Sequence, residues 1–245
     1  RYKSRCHRQC DHEIIGKSSV KTTHDDKAGV ATGVVQAFQN CLRENGIDPK
    51  DVIFVAHSTT QATNALIEGD VANVGVIGVG PKGVGGWIAK AQTNMKDINL
   101  GSGRFIRLKN RFICDENLSD QLVTDTIKSL VGDGAQVIVA SESYGVDDME
   151  NETGICKIAK DMGLEATAAS EITKLYGLTR RTRTAAINAS ILPKMLNTAN
   201  STEQSVKSAG VEVPLMIMRG DGGVMEISEM KNVRSLRCCP VLQLL

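Results

Sequence analysis

Residues 55–68 read VAHSTTQATNALIE, and this stretch decides the fold class. The apolar run Val52–Ala56 predicts a buried strand. Ser58 and Gln61 have the spacing of a capping box, which predicts a helix that begins there. Polar side chains would then follow the carboxyl end of a strand, where open α/β sheets bind ligands and helix N-termini attract anions. The alternative is ordinary helix capping, with His57 as a histidine near the core.

Strands and helices alternate on both sides of this stretch, between about Glu13 and Lys231. Other short apolar runs predict buried strands at Val74–Val79, Gln136–Ala140 and Leu215–Met218. Segments with one apolar face predict helices at Lys27–Asn45, Asn117–Val131, Met149–Met162, Arg183–Ala199 and Thr202–Ala209. Pro193 is expected to kink the fourth helix, and a domain boundary is expected near Tyr176–Arg180. The alternation predicts an α/β fold, with a largely parallel sheet between helices.

Composition excludes several classes of protein. The 245 residues carry a formal net charge of +1 and are 41% hydrophobic but only 3% aromatic. This balance excludes a disordered tail and a basic protein that binds nucleic acid, and scarce aromatic residues argue against base stacking. No apolar run reaches the length of about 18 residues that a membrane span needs, and the start has no signal-peptide pattern. We therefore expect a cytoplasmic protein without nucleic-acid or membrane partners.

The seven cysteines are unevenly spaced, with four of them in the first ten or the last eight residues. The sparse interior set argues against a disulfide framework and favours reduced thiols. Cys6, His7, Cys10 and His12 resemble half of a metal cluster, but no second half follows nearby. We therefore predict no metal site there.

A second polar segment, RGDGGVM at 219–225, follows the predicted strand Leu215–Met218. Asp221, Gly222 and Gly223 permit a tight turn that can approach a phosphate or place a carboxylate beside a reacting group. A plain hairpin turn explains the same residues equally well.

Two further segments have competing interpretations. Gly78–Gly83 (GVGPKG) matches the glycine spacing of a dinucleotide site, but Pro81 and the glycines that follow favour a flexible loop, or a lid over the site. Three arginines at the start of the long helix suit carboxylate or phosphate binding, or simply form a solvated face: Arg180, Arg181 and Arg183. Glu142, after the strand at Gln136–Ala140, is a further candidate.

Four segments occur together in the order and approximate spacing of one family: HSTTQATNALIE, VGVIGVG, YGLTRRTRTAAINASILPKM and PLMIMRGDGGVM. In these segments the chain resembles the hydantoinase/oxoprolinase family. The resemblance implies a ribonuclease-H-like ATPase fold of the actin/sugar-kinase type. It also implies that 13–177 is the family's N-terminal domain and that 178–231 begins its hydantoinase A domain.

The family resemblance implies an ATP-dependent hydrolase that opens 5-oxoproline or hydantoin rings. ATP, with Mg²⁺, would phosphorylate the amide oxygen so that water can open the ring. A second subunit of hydantoinase B type is an implied partner. The candidate residues are, for catalysis, His57 and Asp221; for substrate, Ser58, Thr59, Thr60, Asn64 and Arg183; and for nucleotide, Gly222 and Gly223.

Other functions remain open at this point. The family also includes subunits of ATP-dependent ketone carboxylases. Actin-like ATPases also act as chaperones or reactivating factors, in which case His57 and the threonines would only cap the helix. A sugar kinase fits less well, because the resemblance lies in the hydantoinase motifs.

The two ends depart from the family. Its members have glycine-glycine-threonine phosphate turns on both sides of this region, and neither occurs here. Lys231–Gln243, back-translated and read two bases further on, permits the family's continuation ERPILTMLSGPAA; the first twelve residues, read one base on, permit GTNxDAVI. We therefore expect 1–12 and 232–245 to be out-of-frame tails, and the chain alone to bind ATP poorly. Sequencing the coding DNA tests this expectation.

Overall fold

In a computed structural model, the described residues are 2–11, 13–20, 30–57, 61–218 and 223–227. The strands among them are β1 (Tyr2–His7), β2 (Ile14–Val20), β3 (Val55–His57), β4 (Val74–Gly80), β5 (Ile98–Gly101), β6 (Arg104–Ile106), β7 (Leu108–Cys114), β8 (Val137–Glu142), β9 (Glu165–Ala168), β10 (Leu215–Met218) and β11 (Val224–Glu226). The α-helices are α1 (Val30–Glu44), α2 (Gln61–Glu68), α3 (Val84–Thr93), α4 (Asp120–Gly132), α5 (Glu150–Asp161), α6 (Ala169–Ile172) and α7 (Leu178–Ser208).

The described residues form two compact units, and the first is built from 2–57 and 196–227. Its β1 and β2 pair as an antiparallel hairpin against which α1 packs. A second sheet has the order β11-β10-β3, in which β3 and β10 run parallel. Leu42, Val206 and Val211 are buried together in an apolar cluster of this unit.

The second unit, 61–195, is built on a sheet with the strand order β7-β4-β8-β9. All three strand pairings are parallel, and every residue of β4 and β8 is buried. One face of the sheet carries the main core, in which Ile77 and Ile138 pack with Ile127 of α4 and Ile155 of α5. This sheet confirms the parallel α/β architecture and the strands predicted near Val74 and Gln136.

The glycines of β4 allow α3 to lie close to the sheet. A Cβ atom added to Gly78 would lie 2.3 Å from Thr93 Oγ1, and one added to Gly80 would lie 2.8 Å from Ala89 Cβ. The chain turns at Gly83, whose φ is +79°, and α3 begins at the next residue. The prediction of a flexible loop or lid here is therefore wrong, because these glycines serve the contact between a strand and a helix.

The long helix α7 is continuous where two helices were predicted. It runs through Pro193 and past residues 200 and 201 to Ser208. Thr202 and Ser205 donate side-chain hydrogen bonds to the carbonyl oxygens four residues earlier, at 2.8 Å each. These hydroxyls bond within the helix, which continues through the polar stretch. The domain boundary expected near Tyr176–Arg180 stays a prediction.

The strand before His57 is shorter and more exposed than predicted. A short 3-10 helix at Pro49–Asp51 precedes it, and strand pairing begins only at Val55. Ile53 and Phe54 are 58% and 55% exposed. The prediction of a fully buried strand at Val52–Ala56 is therefore wrong, although Val52 and Val55 pack on the apolar cluster of the first unit.

No helix within the described ranges is both long enough and apolar enough to cross a membrane.

Candidate active site

The strand β3 ends at His57, beside the end of β10. His57 pairs with Ile217 in the parallel register of these strands. β10 pairs antiparallel with β11, and Met218 lies opposite Val224. The two strands therefore pair as a hairpin, and the residues that connect them, 219–222, lie outside the described part of the chain. Gly223 is exposed, whereas Asp221 and Gly222 lie outside the described residues.

His57 is half-buried, and its Nε2 atom is buried with no hydrogen-bond partner in the described part of the chain. Burial lowers the pKa of His57 from its ordinary value of 6.5, because a charged imidazole would lose its hydration. The side chain is therefore neutral at pH 7. A neutral imidazole with an unpartnered nitrogen can exchange a hydrogen bond or a proton with a water or substrate.

Some of the other predicted site residues lie outside the described residues, and two lie in the second unit. Ser58, Thr59 and Thr60 lie outside the described residues, so the capping box stays a prediction. In the second unit, Asn64 of α2 and Arg183 of α7 are both exposed. The described part of that unit shows no hydrogen bond or ion pair for either side chain.

Asn188 of α7 was not among the residues predicted from the sequence. The residue is 2% exposed, and among the described residues neither Nδ2 nor Oδ1 has a hydrogen-bond partner. Exchanging the two amide atoms would not satisfy them, since both positions lack a partner. An unsatisfied buried polar group costs about 1–3 kcal/mol, so this amide lowers the stability of the fold. A partnerless amide cannot be recognised in sequence, where Asn188 is one polar residue in an alanine-rich helix.

Glu152, which was also not predicted from the sequence, lies at the centre of a buried polar cluster after β8. It is fully buried and accepts hydrogen bonds from the backbone nitrogens of Glu142 and Ser170, both at 2.8 Å. Buried Arg181 donates to the carbonyl oxygens of Glu142 and Leu175. Burial raises the pKa of both Glu142 and Glu152. These groups fix the end of β8 to the start of α6 and to α7.

Two adjacent family descriptions match most of the chain. The hydantoinase/oxoprolinase N-terminal region matches residues 7–163, and hydantoinase/oxoprolinase matches residues 181–239. The chain belongs to the hydantoinase/oxoprolinase family. No curated protein matches it.

Two solved structures share the fold. One is nucleotide-free acetone carboxylase, with a TM-score of 0.67 and 15% identity, matched over 96% of this chain and 37% of that chain. The other is the ATP-dependent caprolactamase from Pseudomonas jessenii, with a TM-score of 0.61 and 17% identity. The match covers 88% of this chain and 33% of that chain. The chain thus shares an α/β fold with both of these proteins. This member of the family spans about a third of the length of those two chains.

Proposed function

We propose that this chain is part of an ATP-dependent enzyme that opens cyclic amides of the 5-oxoproline or hydantoin type. The observation that carries the proposal is the match to both hydantoinase/oxoprolinase regions, in family order. The shared fold with a protein named as an ATP-dependent caprolactamase supports it, since caprolactam is also a cyclic amide.

In this proposal His57 acts on the attacking water. Its neutral state follows from burial, which lowers its pKa, and Nε2 has no partner to compete with a water molecule. In the tautomer protonated on Nδ1, Nε2 accepts the proton that water loses as it attacks the ring carbonyl carbon, and returns it to the ring nitrogen as the C–N bond breaks. Asn64 and Arg183 remain proposed contacts for substrate and product.

ATP is a co-substrate in this proposal, and it supplies the phosphoryl group that activates the amide oxygen. Asp221 and Gly222, the residues nearest to a predicted phosphate turn, lie outside the described residues. We therefore assign no residue of this chain to Mg²⁺ and no catalytic step to the nucleotide. A second subunit of hydantoinase B type is proposed as a partner.

A ketone carboxylase is the second candidate, because nucleotide-free acetone carboxylase has the higher TM-score of the two structures, 0.67. The two candidates differ in what they consume. A carboxylase needs bicarbonate and a ketone, whereas a cyclic-amide hydrolase needs neither.

The full-length protein that carries this region, with any co-encoded subunit, tests the proposal. It would be incubated with 5-oxoproline, hydantoin, caprolactam, or acetone with bicarbonate, each with and without ATP, and products measured by mass spectrometry. ATP-dependent ring opening supports the hydrolase, and His57→Gln should lower its rate by about 10²–10⁴-fold. The matched control is Lys90→Gln, an exposed residue of α3. Carboxylated acetone would favour the carboxylase, and ATP turnover indifferent to every compound would favour the chaperone.

A further inference from the structure

Cys6 of β1 and Cys41 of α1 are in contact within the first unit. Their Sγ atoms are 3.2 Å apart, although the two residues are separated by 35 positions in the chain. Cys6 is partly exposed, whereas Cys41 is fully buried, and both are free thiols. The sulfur atoms of a disulfide are about 2.05 Å apart, so these two are only about 1 Å short of bonding distance.

A second contact holds α1 against the hairpin at the same level. Cys6 pairs with Gly16 across the hairpin. A Cβ atom added to Gly16 would lie 2.5 Å from Asn45 Nδ2, and the same nitrogen donates to the Cys41 carbonyl oxygen at 2.7 Å. Asn45 thus occupies the space that a side chain at position 16 would take. This close fit brings the end of α1 near enough to β1 for the two thiols to meet.

Apolar packing positions Cys6 in the same way. It lies against the buried cluster formed by Leu42, Val206 and Val211, and Leu42 is the residue after Cys41. Cys10 is instead exposed, in the turn between β1 and β2. Of the three cysteines in this region, the structure therefore favours the pairing of Cys6 with Cys41.

We infer that Cys6 and Cys41 are a modification site, at which a peroxide converts the two thiols to a reversible disulfide. Cys6, the more exposed of the two, attacks one peroxide oxygen as a thiolate. The O–O bond breaks, and the released hydroxide takes up the Cys6 proton. Cys41 then attacks the Cys6 sulfur, the S–O bond breaks, and the second hydroxide takes up the Cys41 proton. The two sulfurs together lose two electrons, the peroxide becomes two waters, and a thiol reductant restores both cysteines.

The disulfide fastens the hairpin to α1. It joins residues that are 35 positions apart, which constrains the unfolded chain and raises the melting temperature. For a chain of this size we expect a rise of roughly 5–15 °C. The bond should form slowly, because burial and the contact with Cys41 raise the pKa of Cys6 to about 12 and leave little thiolate at pH 8.

The test uses this 245-residue chain, because 1–12 are expected to be an out-of-frame tail. The folded chain is treated with hydrogen peroxide at pH 8, free thiols are blocked with iodoacetamide in urea, and peptides are analysed by mass spectrometry without reduction. We expect the Cys6 and Cys41 peptides to be joined with the loss of two hydrogens, about tenfold above any other disulfide of Cys6. Dithiothreitol should abolish both the joined species and the rise in melting temperature.

Cys10→Ser is the matched control in the same hairpin, and it should keep the joined peptides and the rise in melting temperature. Cys6→Ser should lose both, and peroxide should leave its melting temperature unchanged. The inference is overturned if Cys6 and Cys41 stay free thiols while Cys10 is oxidised, or if Cys6 joins another cysteine instead. It is equally overturned if a chain oxidised while unfolded in urea shows the same preference, because the bond would then not depend on the folded contact.

Discussion

Glu152 Oε1 accepts a hydrogen bond of 2.8 Å from the backbone nitrogen of Glu142, ten residues earlier in the chain. The same oxygen accepts from Ser170 Oγ at 3.0 Å, and Oε2 accepts from the Ser170 nitrogen. One buried carboxylate thus joins the end of β8 to the first helical turn after β9. Both carboxylate oxygens act only as acceptors. A side-chain amide cannot reproduce this, because it replaces one acceptor oxygen with a donor nitrogen.

Glu152→Gln is expected to destabilise the fold by about 1–3 kcal/mol at neutral pH. The amide places a donor opposite a backbone N–H, and one buried group is left unsatisfied. Urea denaturation measures this change. Glu150→Gln, in the exposed first turn of the same helix, is the control and should leave the free energy of unfolding nearly unchanged.

The pH dependence of stability gives a second test of the same carboxyl. Burial raises the pKa of Glu152 above its ordinary value of 4.5, so the folded state holds a proton that the unfolded state releases. The free energy of unfolding should therefore fall as the pH rises from about 4.5 through the raised pKa. Glu152→Gln should flatten that part of the curve, and an unchanged slope would contradict the assignment.

Gly145 is required by the same cluster. An added Cβ would lie 2.7 Å from Glu152 Oε1 and 2.9 Å from Ser170 Oγ. Gly145→Ala should cost about 1–3 kcal/mol, because these hydrogen-bonded groups must move. Gly154→Ala is the matched control inside α5, where a Cβ meets nothing within 4 Å, and it should stabilise by about 0.5–1 kcal/mol. Equal effects in denaturation curves would contradict this.

Cys6 should react slowly with iodoacetamide. Burial and the contact with Cys41, whose Sγ is 3.2 Å away, raise the pKa of Cys6 to about 12. At pH 8 almost none of it is the reactive thiolate, whereas Cys10 is exposed. Peptide mass spectrometry should find Cys10 labelled well before Cys6. Urea should remove the difference, and equal rates in the folded protein would refute the prediction.

His57 should titrate below pH 6.5. Burial disfavours the imidazolium, so the folded state binds that proton less readily than the unfolded state. As the pH falls through 6.5, this group should therefore reduce the free energy of unfolding. Nitrogen-15 chemical shifts give the pKa directly, with His57→Gln to identify the signal. A midpoint at or above 6.5 would show that His57 is not desolvated.

Local patterns in the sequence predicted the element types well where burial was uniform. Val74–Val79 reads as a buried strand because both of its faces are covered, and the sequence shows this directly. The glycines at 78–83 gave the wrong prediction, because their purpose depends on Ala89 and Thr93 of a helix that packs back on the strand. Ile53 and Phe54 look like core residues by hydropathy, yet tertiary structure leaves them exposed.

The candidate site was only partly predictable for the same reason. His57 follows from the strand that ends there, but its unpartnered nitrogen depends on what surrounds it. Glu152 is buried because β8 and β9 bring Glu142 and Ser170 to it from different parts of the chain. Asn188 stands out only once hydrogen bonds can be counted, since amino-acid type does not report whether a partner is present.

The pairing of Val55 with Leu215 also sets an order of events on the ribosome. These residues are 160 positions apart, so β3 cannot find its partner until the residues between β3 and β10 have been made. At roughly 5–20 residues per second, β3 waits about 8–32 s, whereas all strands of the sheet β7-β4-β8-β9 emerge earlier. Nascent chains should thus protect residues 61–195 from protease first, while β3 stays available to chaperones until β10 arrives.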